Sequence, residues 1–105
     1  MGLTHRIRYD EGRNTLFLNL GQLEVRSLET IAAIADQVCR ICEPLGQPVH
    51  AVICYDGFAI DRQLEEPYAR MVRELTARFC LGVTSFTAGR FIRARPGGEA
   101  LALRP

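Results

Sequence analysis

A chain of 105 residues with a net charge of +1 is sized for one domain, spanning 1–105, and carries no global field to hold a nucleic acid or a membrane surface. Its longest apolar run falls far short of the ~20 residues of a membrane span, and its N-terminus lacks the apolar core of a signal peptide. A cytoplasmic protein is therefore expected, with neither membrane nor nucleic acid among its partners.

All thirteen basic side chains are arginine. Arginine suits bidentate carboxylate and phosphate contacts, and GC-rich codon usage explains the same bias. The four cysteines, Cys39, Cys42, Cys54 and Cys80, lie within apolar patterns and outside a secretory context, where free Cys packs as a small hydrophobe.

In chain order, Thr4 to Tyr9 alternates His5, Ile7 and Tyr9 with Arg6 and Arg8 and predicts a strand. A Gly-containing loop, Asp10 to Asn14, leads into a second strand over Thr15–Leu20, so the pair predicts an antiparallel hairpin. Ser27 is placed to cap a helix whose apolar stripe runs through Leu28, Ile31, Ile34, Ala35, Val38, Cys42 and Leu45, ended by Pro44 and Gly46. The run Ala51 to Tyr55, between Pro48 and the Asp56-Gly57 turn signal, predicts a central strand buried on both faces. A second helix begins near Leu64, with Pro67 in its first turn. Tyr68, Met71, Val72, Leu75 and Phe79 form its buried stripe, and Gly82 closes it. Glu66, Arg70, Glu74 and Arg78 recur every four residues on its exposed side, the spacing of helical ion pairs. Val83 to Phe86 predicts a fourth strand, Thr87 the cap of a short helix over Ala88–Ala94, and Glu99 to Pro105 a tail.

The order ββαβαβ(α) predicts an α/β fold: a mixed, mostly parallel four-stranded sheet covered by helices. It is similar to the order of STAS-like domains, the fold of anti-sigma-factor antagonists.

Three stretches carry candidate chemistry. Cys39-Arg40-Ile41-Cys42 offers two thiols near a helix C-terminus, whereas redox pairs sit at helix N-termini, and no second ligand pair for zinc follows; core packing is expected and no metal site. Tyr55 and Asp56 end the central strand, where ligands bind in open α/β sheets; an Asp-Gly turn in which Asp56 bonds its own backbone accounts for the same residues. Thr87, Arg90 and Arg93 would ring the N-terminus of the last helix, suited to a phosphate or carboxylate, against a plain Thr87 cap with solvated arginines. No catalytic residue is assigned, because no nucleophile and base fall into a readable pair.

Five stretches carry a resemblance. Val52 to Asp61 looks like the VVNYDxFxID segment near the C-terminus of acyl-CoA:acetate/3-ketoacid CoA-transferases, and Tyr68 to Leu75 is similar to the YxxMVxxL after it. Val83 to Arg93 resembles the family's VTRYTTSAFLR. Asn14–Asn19 and Val25–Ser27 match NTLFLNxxGxxVR of the longer members. Cys54 stands where the family has Asn, Ser85 where it has Arg, Phe86 where it has Tyr and Arg90 where it has a small residue, while Pro96-Gly97-Gly98 interrupts a KLG ending.

The resemblance implies the appended C-terminal domain of a CoA-transferase. Such a domain lacks the catalytic Glu that carries the glutamyl-CoA thioester, and so acts in assembly or in binding a ligand or partner. CoA or acyl-CoA is the ligand implied, and the catalytic domains, another protein or a second copy in a homodimer are the partners; Tyr55, Asp56, Thr87, Arg90 and Arg93, read above from their places in the chain, remain the candidate ligand-binding residues. Little transferase activity is expected of the chain alone. The competing reading is a free-standing STAS-like regulatory module that binds a protein partner, although Asp56 to Glu66 contains no Ser or Thr to phosphorylate.

Overall fold

The computed structural model describes residues 3–87 and the backbone of 90–94. In chain order the elements are β1 (Ile7–Asp10), β2 (Thr15–Asn19), β3 (Glu24–Val25), α1 (Leu28–Cys42), β4 (Val49–Cys54), β5 (Ala59–Ile60), α2 (Glu65–Phe79), β6 (Cys80–Thr87) and β7 (Arg90–Ala94). One sheet runs β1-β2-β4-β6-β7, and β3 pairs with β5 in a separate parallel ladder. The inner strands β2, β4 and β6 are parallel. β1 is antiparallel to β2, as its hairpin predicts, and β7 is antiparallel to β6. The domain is α/β with two α-helices, and its main sheet holds the four expected strands and a fifth at one edge.

Local chemistry explains most of these elements. Ser27 caps α1: its Oγ accepts the Thr30 N–H at 3.4 Å, and Glu29 follows in the first turn. Ile31, Ile34, Val38 and Cys42 then recur on one buried face. Leu28 precedes that stripe at the first helical position and is 61% exposed, so it lies outside the core into which its spacing was read. Gly46, at φ 67°, takes the left-handed conformation that turns the chain into β4. In α2, Tyr68, Met71 and Phe79 are buried, with Val72 and Leu75 packed against them. Of the expected four-residue ion pairs none forms: Glu66 meets Arg73 at 3.2 Å, and Arg78 crosses to Glu43 of the α1 turn at 3.0 Å.

Three expectations are corrected. Gly82 does not close α2; the helix ends at Phe79 and passes straight into β6, because Cys80 already pairs with Val49. The register slips between Val49 and His50, which leaves Leu81 as the extra residue of a bulge, 55% exposed. The segment read as a helix over Ala88–Ala94 is a strand from Arg90 to Ala94. A helix that short gains little from its own hydrogen bonds, whereas the open edge of β6 offers a full ladder of partners, from Val83 with Ala94 to Thr87 with Arg90. The Glu99–Pro105 tail lies outside the described residues.

The third correction concerns the central strand. Along β4, Val49, Ala51 and Ile53 are buried, Val52 and Cys54 are half-buried and His50 is exposed. Leu16, Leu18, Ala51, Ile53 and Val83 share one face, and that face meets the stripes of α1 and α2. Both helices therefore cover the same side of the sheet, and the other side has no helix over it among the described residues. Leu16 and Ile34, each 1% exposed, lie within this core, where burying one such side chain contributes about 1.5–3 kcal/mol.

Candidate functional site

In a sheet of parallel strands the C-terminal ends gather the loops that bind ligands. Here β2, β4 and β6 end together, and backbone hydrogen bonds knit their exits. Tyr55 N–H donates to Phe86 O at 2.9 Å, Leu20 N–H to Cys54 O at 2.9 Å, and Gln22 N–H to Asp56 O at 2.8 Å. The rim is polar. The Thr87 hydroxyl donates to Asp56 Oδ1 at 3.3 Å, and Asn19 Oδ1 accepts the Gly21 N–H at 3.1 Å. The Arg6 guanidinium closes the other flank, donating to Gly21 O at 2.8 Å and Asn19 O at 3.1 Å.

Two residues at the rim hold left-handed backbone, Gln22 at φ 63° and Gly57 at φ 71°. They face each other, and a Cβ on Gly57 would overlap the Gln22 side-chain amide. Gly57→Ala is therefore expected to cost about 1–2 kcal/mol, the left-handed penalty of an L-residue, and to push the Gln22 side chain off the rim. Thermal melts of Gly57→Ala beside Gln22→Gly check this; an unchanged midpoint in Gly57→Ala would remove the strain from the account.

The residues singled out from the sequence separate in space. Asp56 and Thr87 come together at the rim. Tyr55 turns inward: it is 5% exposed, and its hydroxyl lies 2.6 Å from that of the buried Tyr68. Phe58 packs edge-on against the Tyr55 ring with centroids 4.9 Å apart, so an aromatic cluster floors the rim. Arg90 and Arg93 occupy β7 opposite Thr87 and Thr84. With a strand there, the anion cradle expected from a helix N-terminus loses its dipole and its free N–H groups. Among the described residues no His, Cys, Asp or Glu group of three could hold a metal ion, and no helix is long and apolar enough to cross a membrane.

Asn19 and Gln22 escaped the sequence reading because each sits in a stretch that looks like ordinary strand and turn. Their signal was the parallel register itself, which sets Asn19 beside Cys54. Ser85 is fully buried on the helix side, and its Oγ has no hydrogen-bond partner among the described residues. An apolar core cavity of about 40 Å³ lies between sheet and helices, room for little more than water.

Burial governs the titrating groups. It pushes the Tyr55 phenol up from 10.0 to about 12, and it pushes Tyr68 well above 10.0, with Tyr55 adding to the effect. The Cys42 thiol rises from 9.0 to about 11 through burial, then through the neighbouring Cys80 and Cys39, and burial also raises Cys80. All four cysteines are free thiols. These groups hold their protons more tightly when folded, so their contribution is complete below 9.0 and is lost as pH rises through about 11 and about 12. The urea midpoint is expected to fall as pH rises from about 9 to about 12; a flat profile would mean that the hydroxyl pair and the thiols are hydrated in the folded state.

The strand exits thus carry a braced polar rim with an aromatic floor beneath it, beside a sheet face that has no helix over it among the described residues. No protein-family model, curated protein or solved structure matches this chain.

Proposed function

We propose that this chain is an accessory domain of a CoA-transferase-like protein, serving assembly or binding and lacking the carboxylate nucleophile of the transfer. The observation that supports this most is spatial. The stretches that resemble the family are scattered from Asn14 to Arg93 in the chain, yet they lie against one another. Asn14–Asn19 forms β2, Val52–Asp61 supplies the end of β4, the rim turn and β5, and Val83–Arg93 forms most of β6 and β7, so their strands are neighbours in the sheet. Val25 pairs with Ile60, and Tyr68 from the helical stretch bonds Tyr55. A likeness confined to one structural unit is what a shared domain would leave. Partner binding is favoured over a CoA site, since the helix N-terminus that would have held a phosphate is absent.

Mixing the chain with a purified acyl-CoA:acetate/3-ketoacid CoA-transferase that ends with its catalytic module tests the proposal. A saturable complex by calorimetry, with no turnover of acetyl-CoA by the chain alone, is expected. Absence of a complex would leave the competing reading, a STAS-like module with a different protein partner. A parallel titration with CoA, repeated on Arg90→Ala, decides the ligand: saturable binding weakened by the substitution would restore a nucleotide or phosphate site at β7.

A further inference from the structure

The two thiols of Cys39-Arg40-Ile41-Cys42 fall differently in the fold. Cys42, the last residue of α1, is 2% exposed and packs in the core, as its place on the apolar stripe predicts. Cys39, one turn earlier, is half-buried in the groove between α1 and α2, whose rim carries the exposed Glu74 and Ala77. Near a helix C-terminus the dipole opposes a thiolate, and the nearby Arg40 is taken by Asp36 at 2.8 Å. The fold brings a second cation from α2. Arg78, in the last turn of that helix, donates from Nη1 to Cys39 Sγ at 3.8 Å. Two other contacts hold it there: Nη2 meets Glu43 at 3.0 Å, and the guanidinium lies over the Phe79 ring, 4.6 Å from the centroid.

A third thiol borders the pair. Cys80 opens β6 opposite Val49 and lies close enough to Cys42 to help raise that thiol, as Cys39 does. Cys80 is itself raised by burial, and its backbone is fixed in the ladder. The accessible sulfur with a guanidinium on it is therefore placed to react first, and the thiol three residues on is placed to close on it. Side chains three apart on an α-helix have Cβ atoms about 5–6 Å apart, and a disulfide needs about 3.5–4.5 Å. The chain leaves α1 through the 3-10 turn Glu43–Leu45, and a helix end that tightens towards 3-10 geometry brings such side chains into line.

We propose that Cys39 and Cys42 form a reversible oxidation site for hydroperoxides, in which Cys39 reacts first and Cys42 closes the disulfide. Cys39 Sγ attacks one peroxide oxygen, the O–O bond breaks, and the other oxygen leaves as water or an alcohol with the thiol's proton. Arg78 offers its N–H groups to the negative charge as it passes from sulfur to the leaving oxygen. Cys42 Sγ then attacks the Cys39 sulfenic acid; the S–O bond breaks, and its oxygen leaves as water with the Cys42 proton. Two thiols are oxidised and one peroxide is reduced. This site stands whether or not the chain serves a CoA-transferase.

The native chain is treated with an equal concentration of hydrogen peroxide, alkylated with iodoacetamide and mapped by peptide mass spectrometry. Trypsin cuts after Arg40, so the bond is read as a link between the peptides on its two sides, and fragmentation tells Cys42 from Cys54. The expected first product is the Cys39–Cys42 disulfide, reversed by dithiothreitol. With dimedone present from the start, Cys39 is expected to be tagged about tenfold faster than Cys54 or Cys80. Arg78→Ala is expected to slow that tagging about tenfold. Glu43→Gln breaks the same ion pair but leaves the guanidinium, and is expected not to slow it. Circular dichroism establishes that both variants are folded, and the mapping of the native chain needs neither. A Cys42–Cys80 bond as the first product, dimedone on Cys54 or Cys80 ahead of Cys39, or an unchanged Cys39 rate in Arg78→Ala would each overturn the proposal.

Discussion

Ile53→Lys is expected to unfold the domain, and Val52→Lys, its immediate neighbour, to cost no more than about 1 kcal/mol. Ile53 is 5% exposed and points into the layer between the sheet and the two helices. A lysine there loses the apolar burial of isoleucine, about 1.5–3 kcal/mol, and sets an ammonium where no carboxylate faces it, which costs several kcal/mol more. A domain of this size has about 5–15 kcal/mol in all, so most of the stability would be lost. Val52 points to the helix-free side, where a lysine stem can lie along Phe17 and its charge can reach water. Urea titrations of the two variants, followed by circular dichroism, measure the difference. Equal destabilisation would mean that β4 is covered on both faces.

Tyr68→Ala is expected to remove about 3–5 kcal/mol, the range for a fully buried large side chain, because the ring is 1% exposed and packs on both Tyr55 and Phe58. The hydroxyl pair has a sharper signature. Tyr68→Phe leaves the Tyr55 hydroxyl buried without its partner at 2.6 Å, a loss of about 1–3 kcal/mol, and Tyr55→Phe does the same to Tyr68. Removing both hydroxyls deletes donor and acceptor together, so the double variant is expected to lose much less than the sum of the two single losses. Its alkaline decline should also be shallower, because the two raised phenols are gone. Additive single losses would show that each hydroxyl is satisfied independently and that the pair is not what holds the rim floor in place.

Much of the fold was legible because it depends on near-neighbour chemistry. The Ser27 cap, the three-and-four spacing of Ile31, Ile34 and Val38, and the hairpin between Tyr9 and Thr15 can each be read within one turn or one loop of chain. The inward position of Tyr55 follows from two-residue alternation only once the core side of Ile53 is known from the structure; its place at the strand exit had drawn it into the ligand reading. The last segment was harder. Phe91 and Ile92 suit a strand as well as a helix, and only the free edge of β6 decided between them. The same edge dissolved the anion site that had joined Thr87, Arg90 and Arg93.

What the amino-acid order determined by itself was the alphabet of elements and the α/β class, because periodicity and capping act between residues that are close in the chain. Whether α1 and α2 would share one side of the sheet was left to tertiary structure. An apolar run such as Val52, Ile53 and Cys54 looks the same whether one face or both are covered. The decision came from how two helical stripes pack against parallel strands that pair residues more than 30 apart in the chain, and it left Phe17, Val52, Cys54 and Phe86 together on the side away from the helices.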